Sequence, residues 1–183
     1  MATFKKYDTN NAPAAAQPQL EGVEQAMGFV PNLFKYMAEA PNTIEAYTKI
    51  DEIYSKSTLS PAHRQVVLLA TSVYNDCRFC VAAHTGAAQG TELSKETLDA
   101  LRNGQTPADE QDAALAHFAT QLVDKRGFVT EADVDAFLAA GFTPANVFEV
   151  ILGVTLKTLS NYVNHVCHTE LNDELQELAW PGK

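Results

Sequence analysis

The apolar positions of this chain fall into blocks with helical spacing, and each block is bounded by residues that start or stop a helix. From Pro41 to about Ser55, Ile44, Tyr47, Ile50, Ile53 and Tyr54 recur at intervals of three and four, and Pro41 suits the first turn. Ser60 and Pro61 open a second block that reaches about Tyr74, with serine as cap and proline in the first turn. Within it, residues 65–74 are rich in Val, Leu and Thr, which also reads as a buried strand feeding a Cys-x-x-Cys pair in a thioredoxin-like unit. Length, the Ser-Pro start and the scarcity of other period-two segments favour the helix.

Further helices are predicted over 20–27, closing at Gly28, then from the segment opened by Phe29 to Asn32, and over 76–89, stopping at Gly90. Ser94 caps one that runs to Arg102, and Thr106 with Pro107 starts one lasting to about Lys125 and ending at Gly127. Thr130 and Asp133 form a capping-box pattern for a helix closing at Gly141. Thr143 and Pro144 start the last long helix, 147–166, with Val150, Leu152, Val154, Leu156 and Leu159 as its buried side, and 170–178 adds a short terminal helix. Every break carries cap chemistry and no hairpin pattern appears, so the class is all-α. Residues 1–18, polar and rich in Ala, Pro, Asn and Gln, read as a loose arm or a segment lying on a partner subunit; 19–183 read as a single domain.

Composition narrows the function. A chain of 183 residues, 46% apolar, is long enough for one domain with a sizeable core. Thirteen basic against 23 acidic residues give a net charge of −10, which repels phosphate backbones and anionic membranes and argues against a nucleic-acid partner. Lys5 and Lys6 have no apolar run behind them, and no segment offers roughly 20 consecutive apolar residues, so a cytoplasmic protein is expected. Three cysteines make a poor secreted disulfide framework; a Cys-x-x-Cys pair in a reducing compartment suits catalysis or metal binding.

That pair, Cys77 and Cys80, with His84 four positions on, is the candidate chemistry. If a helix begins at Asn75 or Asp76, all three side chains share one face. A dithiol needs two sulfurs close enough to bridge, one of them ionised enough to attack, and a base to move protons. Cys77 falls in the first turn, where unpaired amides favour a thiolate, and His84 has a free pKa near ~6.5. Asp76 disfavours a thiolate and Arg78 favours one, so local charge leaves open which thiol ionises first. The competing readings are a zinc half-site and two inert thiols. Zinc needs further ligands, and His165, Cys167 and His168 are the candidates, although two histidines without a carboxylate form a weak set. Packing of Tyr162 and His165 near the site or at a subunit contact is the plainer reading. His84 alone would equally suit a histidine satisfied by a backbone carbonyl.

The wording CRFCVAAHT, preceded by LSPAHRQVVLLATSVYND, resembles the alkylhydroperoxidase D-like (AhpD-like) proteins of the carboxymuconolactone decarboxylase superfamily. Their signature is a glutamate, then Cys-x-x-Cys, then three residues and a histidine. GFVPNLFKYMAEAP resembles the peroxidase-related branch, and LGVTLKTLSNYVNH is also similar to that superfamily, so the likeness runs from about Leu20 to about Glu170. The resemblance implies an AhpD-like helical bundle with the Cys-x-x-Cys at the N-terminus of a core helix. It implies a peroxidatic Cys80 that becomes a sulfenic acid, a resolving Cys77, and His84 assisting deprotonation. An external dithiol restores the pair, no haem, flavin or metal is required, and the assembly is a homo-oligomer, a trimer or hexamer.

One position departs from the signature. Gln65 stands where the glutamate is expected, so its side chain should face the cysteines without offering a titrating carboxylate. Loss of a general acid or base typically costs about 10²- to 10⁴-fold, so activity is expected to be weakened or another acid to serve. His63 would face elsewhere on its helix; Glu149 and His165 are the candidates from the last helix. The expected function is a thiol-dependent alkylhydroperoxidase or disulfide oxidoreductase in antioxidant defence. The alternatives are lactone chemistry of the decarboxylase type, against which the cysteine pair counts, and a non-enzymatic redox-sensing or metal-binding module, which Gln65 keeps open.

Overall fold

The computed structural model describes residues 4–183, so the first three positions of the expected arm lie outside it. Nine α-helices follow in order among the described residues, without a strand. They are α1 (Gln17–Met27), α2 (Asn32–Met37), α3 (Pro41–Ser55), α4 (Pro61–Tyr74), α5 (Arg78–Gln89), α6 (Lys95–Arg102), α7 (Glu110–Asp124), α8 (Glu131–Ala139) and α9 (Pro144–Cys167). A 3₁₀ turn, Asp173–Leu178, stands where the terminal helix is expected.

The centre is α4. Residues 66–73 are all buried, because a helix apolar on every side has no face to give to water and must be surrounded. Helices α5, α6, α7 and α9 pack around it. The ambiguous run 65–74 is therefore a buried helix, with Ser60 accepting the amide of His63 at 3.1 Å as its cap. Stacked rings of Phe118, Phe137 and Phe142, with centroids 4.4 and 4.5 Å apart, fix α8 and the start of α9 against α7. Gly153 lets α9 approach α3, since a Cβ there would lie 2.8 Å from the Tyr54 ring. A second apolar cluster joins α1, α2 and α3 to Cys77, Phe79 and Cys80, and Tyr47 packs against both clusters. The dithiol thus sits where the two clusters meet.

The capping boxes at Thr130 and Thr143 form as the sequence predicts. Other expectations change. Helix α1 begins at Gln17, within the stretch read as an arm; Ala12 and Ala16 before it are buried, and the Tyr7 amide donates to the Lys35 carbonyl at 3.0 Å. Helix α7 starts at Glu110 instead of after Thr106, because the Asp109 carboxylate takes the amides of Gln111 and Asp112 at 2.9 and 3.0 Å. Ile53 points outward. On α9 only Val150 and Leu156 of the five predicted apolar positions are fully buried, whereas Lys157, Ser160, Asn161 and Asn164 are. No single helix among the described residues is long and apolar enough to cross a membrane.

Candidate active site

Cys77 belongs to two helices at once. After α4 the chain turns through Asp76 in the left-handed region, φ 55°, and the amides of Asp76 and Cys77 return to the carbonyls of Val73 and Ser72 at 3.1 and 2.9 Å. That pattern is a Schellman ending with Asp76 where glycine is usual. The Asp76 carboxylate accepts the Lys183 amide at 2.9 Å, and Arg102 holds the carbonyls of Leu178 and Ala179, so the C-terminal segment braces this turn. The next residue, Cys77, is the extended N-cap of α5, one position outside the first turn that the sequence suggests. The left-handed Asp76 cannot continue a helix, which moves the start to Arg78. Cap and third helical position are the pair that a capping box brings together, and here they are Cys77 and Cys80.

Facing the sulfurs is the polar stripe of α9. Lys157, Ser160, Asn161 and Asn164, at spacings of three and four, all turn inward. Asn164 Nδ2 lies 3.2 Å from Cys80 Sγ and 3.7 Å from Cys77 Sγ, and Ser160 Oγ lies 3.8 Å from Cys80 Sγ. Lys157 is 1% exposed; its Nζ lies 2.7 Å from His84 Nε2, and its charge acts on the Cys80 sulfur. On the other edge of the imidazole, Nδ1 is 3.0 Å from Gln65 Oε1. An ammonium only donates, so His84 accepts at Nε2 and donates its Nδ1–H to the Gln65 carbonyl. The result is one line: Gln65, His84, Lys157, Cys80.

Charge follows from this line. Burial alone would raise the Cys80 thiol, but the hydrogen bond from Cys77, the Lys157 ammonium, Ser160 and Asn164 together hold it well below the ordinary thiol value. Cys77, donor to that sulfur, is pushed up by the same hydrogen bond, by burial and by the neighbouring charge. Burial works against the Lys157 ammonium, yet the Cys80 charge, with Tyr47 and Cys77, keeps it charged. Burial and the Lys157 charge hold His84 well below the usual imidazole value, so it is neutral. Local charge left open which thiol ionises first; the tertiary setting makes it Cys80.

The structure therefore brings together all four residues expected from the sequence, Cys77, Cys80, His84 and Gln65, and adds Lys157, Ser160 and Asn164. His84 contacts Lys157 and Gln65, and the charge nearest its ring that acts on Cys80 is the Lys157 ammonium. Neither expected substitute acid reaches the line. Glu149 is bound to Thr58 and Asn146 near the start of α9, and His165 is exposed. His63 faces Asp112. His165 and His168 instead border a cavity of about 160 Å³ with Asn164, Arg78 and Cys77. Among the described residues, no three His, Cys, Asp or Glu side chains converge to hold a metal ion.

Residues 38–125 match the carboxymuconolactone decarboxylase family. The fold is similar to that of a peroxidase-related protein from Ralstonia eutropha JMP134, described as an alkylhydroperoxidase AhpD core, with 23% identity, all of both chains covered and a TM-score of 0.83. A peroxidase-related protein from Silicibacter sp. TM1040 matches 90% of this chain and 88% of its own at 21% identity and a TM-score of 0.78. The debrominase Bmp8 superposes over 97% of this chain and 96% of its own at 16% identity and a TM-score of 0.80. No curated protein matches the sequence significantly.

Proposed function

We propose that the chain is an AhpD-like member of the carboxymuconolactone decarboxylase superfamily, as its family match and its fold support, and that it reduces hydroperoxides through the Cys77–Cys80 dithiol. The observation that supports this most is a buried Cys80 sulfur held between a lysine ammonium and the second thiol. The Cys80 thiolate attacks the terminal peroxide oxygen; the S–O bond forms, the O–O bond breaks, and the sulfur is oxidised by two electrons to a sulfenic acid. The departing alkoxide takes a proton from Lys157 and leaves as alcohol. Cys77 then attacks the sulfenic sulfur, its thiol proton leaves with the hydroxyl as water, and a disulfide remains.

Charge balance supports the scheme. The resting site holds one anion, Cys80, and one cation, Lys157, in a place where a lone charge costs several kcal/mol. Thiolate and ammonium are both consumed in the turnover, so no uncompensated charge is left buried. An external dithiol returns two electrons and two protons, one to Cys77 and one to Lys157. Gln65 suits this arrangement: as a neutral acceptor it fixes the His84 tautomer without placing a second anion beside Lys157. In this reading the family's carboxylate is replaced by a lysine whose counter-ion is the thiolate itself. Lactone decarboxylation makes no use of a buried dithiol and ranks below it.

The same reading places the enzyme in a reducing cytoplasm, where its three free thiols persist. It acts as a homo-oligomer, trimer or hexamer; the exposed Phe148, Ile151, Tyr162 and Val166 along α9 support burial between subunits. One equivalent of hydroperoxide added to the fully reduced protein is expected to be consumed with loss of both site thiols per chain and appearance of a Cys77–Cys80 disulfide in the peptide map, Cys167 remaining free. Persistent peroxide with all thiols intact contradicts the proposal.

A further inference from the structure

Asn164 turns one end of its amide to the dithiol and leaves the other without a partner. It is 5% exposed, its Nδ2 reaches both sulfurs, and its Oδ1 is buried without any hydrogen-bond partner. A buried polar atom with no partner is uncommon and calls for a reason. Three positions earlier, Asn161 accepts the Asn75 amide at 2.9 Å, which ties α9 to the turn carrying Cys77 and sets the register of Asn164 against the dithiol. The other polar groups at Cys80 are a lysine ammonium, which only donates, and the Ser160 hydroxyl, whose oxygen lies 3.3 and 3.2 Å from the carbonyls of Leu156 and Lys157. The site is therefore rich in donors, as a thiolate requires. Its unused acceptor belongs to Asn164.

We propose that Asn164 is a catalytic residue of the dithiol site whose Nδ2–H holds the Cys80 thiolate and whose free Oδ1 accepts the hydrogen of the Cys80 sulfenic acid. This rests on the peroxidase reading above. Attack on RO–OH creates an S–O–H group beside the amide, where none exists in the resting state. That hydroxyl is a new donor at a residue whose Oδ1 has no partner in the resting site. Accepting it keeps the sulfenic acid protonated and in place until Cys77 attacks, and protonated sulfenic acid resists further oxidation because the anion is the better nucleophile. The amide thus serves the anion before the reaction and the hydroxyl after it.

The two ends separate in two variants made in the full chain with Cys77→Ser, which stops resolution at the sulfenic acid. Asn164→Asp keeps an acceptor and removes the donor; Asn164→Leu removes both, with Asn164→Ala in its place should the leucine variant fail to fold. Iodoacetamide alkylation of Cys80 near neutral pH, localised by mass, is expected to slow about tenfold in every variant. After one equivalent of cumene hydroperoxide, the sulfenic acid is expected to survive in Asn164→Asp and to decay or pass to sulfinic acid about fivefold faster in the variants lacking an acceptor. Unchanged alkylation overturns the donor role, and equal sulfenic lifetimes overturn the acceptor role. The alkylation arm uses no peroxide. If Cys77→Ser with Asn164 intact forms no sulfenic acid at all, the peroxidase reading falls and takes the acceptor role with it; if it forms and outlasts none of the variants, only the Asn164 assignment falls.

Discussion

Cys80→Ser is expected to abolish hydroperoxide consumption, with a loss of at least about 10³-fold in the rate of the first turnover, because the nucleophile itself is gone. A serine hydroxyl has the right size for the buried position and does not ionise there, so the packing survives while the chemistry does not. Lys157 loses its counter-ion at the same time, since the Cys80 charge is what offsets the cost of burying the ammonium. Cys77→Ser behaves differently. It retains the first turnover and stalls afterwards, leaving one equivalent of peroxide consumed per chain and a sulfenic acid at Cys80. Stopped-flow measurement of peroxide loss under single-turnover conditions separates the two variants. Equal rates for Cys80→Ser and wild type would reassign the nucleophile.

The second large effect belongs to Lys157→Met. Methionine matches the length of the lysine stem and is apolar, so it fills the buried space between α9 and α5 without a charge. The Cys80 thiol then loses the cation that favours its ionised form, and the departing alkoxide loses its proton donor. Together these losses are expected to lower the peroxide rate constant about 10²- to 10⁴-fold near neutral pH, the usual range for removing a general acid. Raising the pH should recover the ionisation part and leave the proton-donor part missing. The variant should fold, because a protonated Cys80 beside methionine leaves no isolated charge. A rate within about threefold of wild type would make Lys157 a bystander, well short of the expected range.

The local parts of this site were legible in the sequence and the distant parts were not. Ser60, Ser94, Thr130 and Thr143 each cap the helix they precede, because a cap acts over three residues and its signal is local. Cys77, Cys80 and His84 lie within eight residues, so their convergence could be read from spacing. Spacing alone sets the helix start too early because a left-handed Asp76 is unusual for a residue with a Cβ. At α7 two acceptable caps stand close together, Thr106 and Asp109, and the Asp109 carboxylate takes the amides of Gln111 and Asp112.

Lys157, Ser160 and Asn164 stand 73, 80 and 84 residues from the partners they meet, and no periodicity argument spans that distance. A signal was present all the same. Polar residues at 157, 160, 161 and 164 recur at helical spacing within a helix otherwise rich in Val, Ile and Leu. Reading α9 for apolar positions alone hid this second stripe. Gln65 is the clearest case. Taken locally it looks like a missing acid, whereas in the structure the charge lies two residues further along the line, on Lys157.

The central claim is that Cys80 rests as a thiolate paired with Lys157 at neutral pH, and the most direct measurement is the ultraviolet thiolate absorbance of the reduced protein against pH, taken as the difference between wild type and Cys80→Ser. The account predicts that the Cys80 signal is already complete from about pH 7 to about pH 9 and lost only well below the ordinary thiol range. A signal that rises through a midpoint near an ordinary thiol pKa of about 8.5 would contradict it.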